Sequence, residues 1–485
     1  MAELKGVTAA IGARLTATVA DKALSFVVFA YAGSRLGPEL FGAYAFGVAI
    51  NAFAILLADL GVLQVLIRRL SRDQDSDGQQ TLRAAIVGKL ILSLGAAGAG
   101  WTYAVWSTGA QGMRLVTFAA LVLGTFQGVA DTATGNLVAA GRQGRVAWAE
   151  FLNRFVWALA CALSLTVLHG DLAVAGMGFG LLLGVAAQML GLGRSAWPPE
   201  GGADLIHRFR SLVREGRPLL IQGVATTVSM RADVLILMLL LGLSSVGLYS
   251  AAVRLSEPPV IIAGIVASVL FPVFVRAERG ARQESLRLLT YGTELTYWVV
   301  VGATLLYCLA STELLDLVFG RAFVPAGGAL RWLALALVPL SANVMIQQAL
   351  VARGAERTTV RLSLASAAVS VVVLLGLAPR LGIAGAGLAS LLGYGAFSAV
   401  GLALKLSRQS VLAAALGLVR PLCTAALGFG AASLVPAQPY RVAVGLAVYL
   451  FGALVVGRLL PRLIRPLEQI WATQVVGAGR RAGQF

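Results

Sequence analysis

Charge is scarce in this chain. Asp, Glu, Lys and Arg make up 13% of its 485 residues, about half the share of a soluble globular protein. Histidine is scarcer still: His169 and His207 are the only two, which argues against a histidine-based metal site. The three cysteines, Cys161, Cys308 and Cys423, stand singly in apolar runs, with no CxxC. That arrangement suits neither a disulfide framework nor a zinc ribbon, and they read as small core residues. No GxxxxGK[ST] occurs, so no ATP-driven motor is expected in this chain. Residues 1–15 lack a secretory apolar region with a cleavage site, so no leader removal is expected.

Apolar side chains and small residues are abundant. Hydrophobic residues reach 58%, glycines number 56, and mean hydropathy is +0.83. Such a composition belongs to a polytopic membrane protein, in which Gly and Ala let helix backbones approach closely. Apolar segments centre near Phe26, Ala52, Leu94, Leu123, Trp157, Leu183, Ile236, Val260, Val301, Leu340, Val371, Leu391, Leu422 and Val448. Each is long enough to span a hydrocarbon core, which takes about 20 helical residues. The fold class expected is all-α, with fourteen transmembrane helices.

The connections carry the basic charge alternately. Arg68, Arg69, Arg72 and Arg83 share one loop, Arg142 and Arg145 the next such loop, and Arg194, Arg208, Arg210, Arg214 and Arg217 a third. The alternation continues through Arg276 to Arg287, Arg353 to Arg361, Lys405 and Arg408, and the tail from Arg462 to Arg481. Intervening loops hold one arginine at most. Lys and Arg concentrate on the cytoplasmic side of short loops. Both termini are therefore expected in the cytoplasm, and most of the net charge of +17 is topogenic. Nucleic acid is not an expected partner.

An internal repeat organises the chain. Leu36-Gly37, followed by Gly42 and Tyr44, matches Leu241-Gly242, followed by Gly247 and Tyr249. Leu137-Val-Ala-x-Gly141 matches Leu350-Val-Ala-x-Gly354, and Ala175-Gly-x-Gly178 matches Ala384-Gly-x-Gly387. The three offsets are 205, 213 and 209 positions. Six segments precede the second copy, so equivalent helices share one orientation and the repeat is parallel. The expected organisation is a six-helix bundle over residues 1–195, a basic linker at 196–216 and a second bundle at 217–405. Helices 13 and 14 follow over 406–460, then a basic tail over 461–485.

Two passages resemble the polysaccharide-lipid flippases of the multidrug/oligosaccharidyl-lipid/polysaccharide exporter superfamily, of the O-antigen and exopolysaccharide type. One is Leu36-Gly-Pro-Glu-Leu-Phe-Gly-Ala-Tyr44 with Ala58-Asp-Leu-Gly61 and Arg68-Arg69; the other is Arg231-Ala-Asp233, Val246 to Leu255 and Phe271-Pro272. Leu317-Val-Phe-Gly320 with Phe323 also resembles an outer loop of that family. The resemblance implies two six-helix bundles around a central cavity. It implies alternating-access export of a polyprenyl-diphosphate-linked oligosaccharide across a bacterial inner membrane, for lipopolysaccharide or exopolysaccharide synthesis. Membrane lipids, a polysaccharide polymerase and glycosyltransferases are the partners it suggests. No cofactor and no enzymatic activity are implied.

A diphosphate brought into a low-dielectric cleft needs cations already held there. Arg suits bidentate phosphate contact and Lys a point-charge contact. Arg231 and Arg254, from the central helical hairpin, and Lys22 in the first half are the candidate substrate contacts. Asp233, Glu257 and Asp21 are either coupling sites for an ion or ion-pair partners that hold the arginines. Gln127, Asn136, Asn343, Gln347 and Gln348 are candidate sugar contacts, or equally interhelical glue. Lys89, Glu150, Arg154, Glu294 and Arg420 lie near segment ends and read as snorkelling or topogenic charges. Asp59 reads as a helix-end cap. Pro258-Pro259 is expected to kink or break segment eight.

Three other function classes compete with this reading. A membrane glycosyltransferase or polymerase needs a larger outer loop than Glu313 to Gly327 offers. A multidrug or cation antiporter of the same fold would favour an acidic cavity. A peptidoglycan-precursor flippase shares the helix count. Topology is directly testable: reporter fusions after Arg72, Arg210 and Arg465 are expected to report cytoplasm, and a periplasmic signal at any one would break the fourteen-span arrangement.

Overall fold

The computed structural model describes residues 2–72, 76–106, 126–198, 204–278, 282–352, 354–403, 408–436 and 438–456. The described chain is all-α. Its helices are α1 (Ala2–Asp59), α2 (Val62–Leu70), α3 (Ser76–Trp106), α4 (126–139), α5 (Gln143–Val167), α6 (Asp171–Leu192) and α7 (Leu205–Leu241). They continue as α8 (Leu243–Glu278), α9 (Arg282–Phe319), α10 (Gly327–Ala352), α11 (Glu356–Leu381), α12 (Ile383–Ala403), α13 (Arg408–Ser433) and α14 (Gln438–Val456). Nine helices among the described residues are long and apolar enough to cross a membrane, and α13 and α14 carry shorter apolar stretches. The polytopic all-α fold expected from composition is the fold observed. The segment centred on Leu123 and the tail from 461 lie outside the described residues.

The first two apolar segments form α1, which bends at Gly37 (φ 73°, ψ 175°) just before Pro38. The same conformation separates α7 from α8 at Gly242 (φ 81°, ψ −179°). Positive φ at this point suits glycine, which has no Cβ to clash. The repeat is therefore written in backbone torsions. Gly141 (φ 71°) and Gly354 (φ 69°) form a second matched pair, and Gly170 and Gly382, both at φ 59°, a third. Tyr44 and Tyr249, the matched aromatics, are both buried.

The chain divides into two compact units, 2–247 and 248–485. In the N-terminal unit α5 and α6 form a tight hairpin. Gly176, Gly180 and Gly184, one turn apart on α6, face Ser164, Ala160 and Asn153 of α5. A Cβ at Gly180 would stand 2.9 Å from that of Ala160, so the small-residue stripe sets the helix spacing. Gly178, part of the repeated Ala-Gly-x-Gly motif, lies inside α6. Residues 205–216 of the basic linker form the first turns of α7, which packs on α1, α2 and α3. At Gly216 a Cβ would meet the backbone of Gly61 at 2.9 Å, so α7 presses directly on the turn between α1 and α2. Val62, Val65, Leu66, Leu70, Leu82, Ala85 and Leu212 fill the space between α2, α3 and α7.

In the C-terminal unit α10, α11 and α12 pack together, as do α9, α13 and α14. Gly385 of α12 fits against the backbone of Leu377, and Gly393 against Ser366 and Ser370 of α11. α8 is helical through Pro258 and Pro259, so of the expected kink or break the break does not occur. Pro259 cannot donate to the carbonyl of Leu255, but the Tyr307 hydroxyl of α9 donates to that carbonyl at 2.8 Å. A neighbouring helix thus satisfies the acceptor that the proline frees, which is how membrane helices tolerate proline.

Candidate functional site

A polar cleft of about 230 Å³ opens within the N-terminal unit between α1, α4, α5 and α6. Asp21 of α1, Gln127 and Asp131 of α4, Glu150, Asn153 and Arg154 of α5, and Gln188 of α6 line it, with Phe151 as an aromatic wall. Helical spacing assembles this set. Gln127 and Asp131 stand at i and i+4 on α4, and Glu150 and Arg154 at i and i+4 on α5, so each pair shares one helix face.

The groups in the cleft hold one another. Arg154 Nε lies 2.6 Å from Asp21 Oδ1, tying α5 to α1, and its guanidinium sits 5.8 Å from the centroid of the buried Trp157 ring. That contact adds a cation–π attraction to the ion pair. Gln127 Nε2 donates to Asp131 Oδ1 at 2.8 Å. Asn153 Nδ2 donates to Gln188 Oε1 at 2.6 Å, and Gln188 Nε2 donates to the Thr134 hydroxyl at 3.3 Å. Three carboxylates share the cleft with a single guanidinium, so its field favours a cation.

Asp59 and Lys89 make a second intramembrane pair in the same unit. Lys89 Nζ is 2.5 Å from Asp59 Oδ1, and the lysine side chain is 1% exposed. The same carboxylate oxygen accepts the Leu63 backbone N–H at 3.3 Å, capping α2 as the sequence suggested. Lys89 and Asp59, with Glu150, are also charged neighbours of Asp131.

Three charges read as snorkelling or topogenic take other roles. Lys89 is buried and paired, Arg154 lines the cleft in an ion pair, and Glu294 of α9 is buried and accepts Arg420 Nη1 of α13 at 3.3 Å. The reason is common to all three. Each side chain has an opposite charge on a neighbouring helix within reach, so it need not extend to the interface. Asn153 and Gln188 escaped the sequence reading. Their one signal is an amide alone on an apolar helix, as in Gly184-Val-Ala-Ala-Gln188-Met-Leu.

Most of the other sequence candidates lie outside this cleft. Asp21 and Gln127 meet in the cleft, whereas Lys22 is exposed on α1. Arg231 and Asp233 are half-buried on α7, where Asp233 Oδ1 accepts the backbone N–H of Val234 at 2.8 Å. Arg254 Nη1 donates to both carboxylate oxygens of Glu257, one turn along α8, at 3.0 Å. Asn136 Nδ2 donates to the carbonyl of Ala196 at 3.3 Å. Asn343 donates to the Tyr394 carbonyl at 3.0 Å and accepts the Ser398 hydroxyl at 2.6 Å, which bonds α10 to α12. Gln347 and Gln348 are half-buried on α10. Among the described residues no cluster of His, Cys, Asp and Glu could hold a metal ion.

A family profile described as "Polysaccharide biosynthesis protein" matches residues 7–278. No curated protein matches the sequence. Among solved structures, the fold is similar to that of the lipid II flippase MurJ in an inward closed conformation, with a TM-score of 0.71 at 13% identity over 92% of this chain and 98% of that one. It is also similar to an inward-facing multidrug resistance MATE family transporter of the MOP superfamily, with a TM-score of 0.61 at 18% identity over 81% and 95% of the two chains. A MOP superfamily transporter from Pyrococcus furiosus, described as having a binding pocket of reverse polarity, gives a TM-score of 0.50 at 15% identity over 83% and 93%.

The buried pair is the most exacting element of this polar framework. Lys89→Met leaves the Asp59 carboxylate without its counter-charge. The expected cost is about 3 kcal/mol, the low end for breaking a buried pair, because Asp59 keeps part of its exposure. Removing both charges in Asp59→Asn/Lys89→Met is expected to recover most of that loss. Thermal unfolding of the detergent-purified protein reads both outcomes. A double variant no more stable than Lys89→Met would contradict the pairing.

Proposed function

The chain belongs to the polysaccharide biosynthesis protein family, and on that basis we propose that it is an alternating-access flippase for a polyprenyl-diphosphate-linked oligosaccharide. In this reading the carrier moves from the cytoplasmic to the outer leaflet of a bacterial inner membrane, where cell-surface polysaccharide is completed by a polymerase and glycosyltransferases. The observation that carries the reading is cationic side chains held inside apolar helices. Arg231 and Arg254 sit well within α7 and α8, half-buried, where a guanidinium is costly and an anionic headgroup would add to the stabilisation its protein partners give. Arg231, Arg254 and Lys22 are the proposed diphosphate contacts. Gln127, Asn153 and Gln188 offer amides that suit sugar hydroxyls.

The acid-rich cleft supplies the other half of the cycle. Asp21, Asp131 and Glu150 against Arg154 make a site that can take a proton or Na⁺ in exchange for the outward movement of substrate. Binding there would compete with the Arg154 pair and bias α5 against α1, since a ligand shifts an equilibrium only by its differential affinity for the two states. Asp233 and Glu257 are retained as secondary coupling or ion-pair candidates.

A second reading, a peptidoglycan lipid-precursor flippase, is favoured by the fold likeness to a lipid II flippase over almost the full length of both chains. Its cargo would also be an anionic lipid-linked saccharide, so the same arginines would serve. The acidic cleft likewise suits a multidrug or cation antiporter of this fold, but the arginines of α7 and α8 argue against a cationic cargo.

Cells carrying Arg231→Gln or Arg254→Gln are expected to contain normal amounts of inserted protein. Their export of lipid-linked sugar should fall by about tenfold or more, the worth of one charge-assisted hydrogen bond. The Lys replacements should keep part of the activity, because the charge survives without the bidentate fork. Full export in both Gln variants would overturn the assignment. So would recovery of export when Asp233 or Glu257 is removed alongside its arginine, because that outcome makes each arginine a mere counter-charge.

A further inference from the structure

A second concavity of the N-terminal unit has a character quite unlike the polar cleft. It is an open groove of about 710 Å³ between α3 and the first turns of α7. Its α3 wall is Ala84, Val87, Gly88 and Ile91, residues three and four apart on one apolar face. Its α7 wall is Ile206, Phe209 and Val213, at the same spacing. Ile91 is 65% exposed and Ile206 71% exposed, so the groove is apolar and open.

The rim is cationic. Arg210, Arg214 and Arg217 line the groove at i, i+4 and i+7, one above the other along α7. All three are exposed. Their neighbours are paired: Arg69 with Glu215, and Arg208 with Asp77 at 2.7 Å. Among the described residues no carboxylate pairs with Arg210, Arg214 or Arg217. The arginines that brace α7 are thus distinct from the three that face the groove. Immediately after Arg217 the chain turns apolar at Pro218 and stays so over most of α7. The rim therefore stands at the headgroup level of the membrane, with the apolar walls beside it.

We propose that this groove is a binding site for an anionic phospholipid of the leaflet on the arginine-rich side. One acyl chain lies along Val87, Ile91 and Leu92 of α3, and the headgroup phosphate is clasped by Arg210, Arg214 and Arg217. Charge complementarity selects the occupant. Three guanidiniums with no carboxylate partner among the described residues favour a phosphodiester with net negative charge over a zwitterion, and guanidinium geometry suits bidentate phosphate contact. The apolar walls require a ligand with a hydrocarbon chain, which excludes free phosphate. The lipid would join α3 to α7 where Phe209 already abuts Gly88, so it would brace the entry of α7 into the membrane.

Native mass spectrometry of the full chain, released from micelles doped with phosphatidylglycerol or phosphatidylethanolamine, tests the site. The wild type is expected to retain one phosphatidylglycerol in preference to phosphatidylethanolamine. Arg210→Gln/Arg214→Gln/Arg217→Gln should weaken that retention about a hundredfold, from about fivefold per arginine. Ile91→Trp, which fills the groove and leaves the arginines in place, should also abolish it, guarding against a general fault in the triple variant. Arg357→Gln/Arg361→Gln, on exposed arginines of α11, should change nothing. Equal retention of the two lipids, unchanged retention in the triple variant, or an equal loss in the α11 variant would overturn the proposal. So would displacement of phosphatidylglycerol by an equimolar polyprenyl phosphate, which would make the groove a docking point for the cargo's carrier instead.

Discussion

An ionised side chain inside a hydrocarbon core must meet an opposite charge, and much of this structure follows from that requirement. Lys89 meets Asp59, Arg154 meets Asp21, Arg254 meets Glu257 and Glu294 meets Arg420. The first, second and fourth of these pairs tie different helices together, so neutralisation also fixes packing. Buried pairs are a weak source of net stability, because desolvation offsets most of the attraction. Their value here lies in specifying which helix stands beside which, in lipid where apolar surface does not discriminate. Glycine stripes then let those chosen neighbours close, as α6 does on α5.

The two classes of charge divide the work of the proposed transporter. The polar cleft of the N-terminal unit is acid-rich and self-bonded, a setting in which a small cation can exchange with Arg154 for the carboxylates. Arg231 and Arg254 belong to helices on either side of the Gly242 turn, α7 in the N-terminal unit and α8 mainly in the C-terminal one.

Much of the fold was legible in the residues. Hydropathy located the helices, and the Leu-Gly repeat that pairs Gly37 with Gly242 reappears as a shared backbone conformation. Asp21 and Gln127 were picked out as polar groups in apolar segments, and the structure brings both into one cleft. Partners were not legible. Lys89 and Arg154 looked like interface charges because sequence gives position along a helix but not the charge on the helix opposite. Asn153 and Gln188 went unnoticed because a single amide has little weight in a hydropathy pattern. The uninterrupted helix at Pro258-Pro259 depends on Tyr307, some fifty positions away, whose hydroxyl no local rule could connect to the Leu255 carbonyl.

The central claim is that a polyprenyl-diphosphate-linked oligosaccharide crosses the membrane through this protein. Purified protein reconstituted in sealed vesicles, with a fluorescent lipid-linked oligosaccharide in both leaflets and a membrane-impermeant quencher outside, measures that crossing directly. The account predicts that imposing an inward-directed proton or sodium gradient redistributes the labelled lipid between leaflets, with protein-free vesicles showing no change. An unchanged distribution in protein-containing vesicles under both gradients, with the protein shown to be folded and inserted, would contradict it.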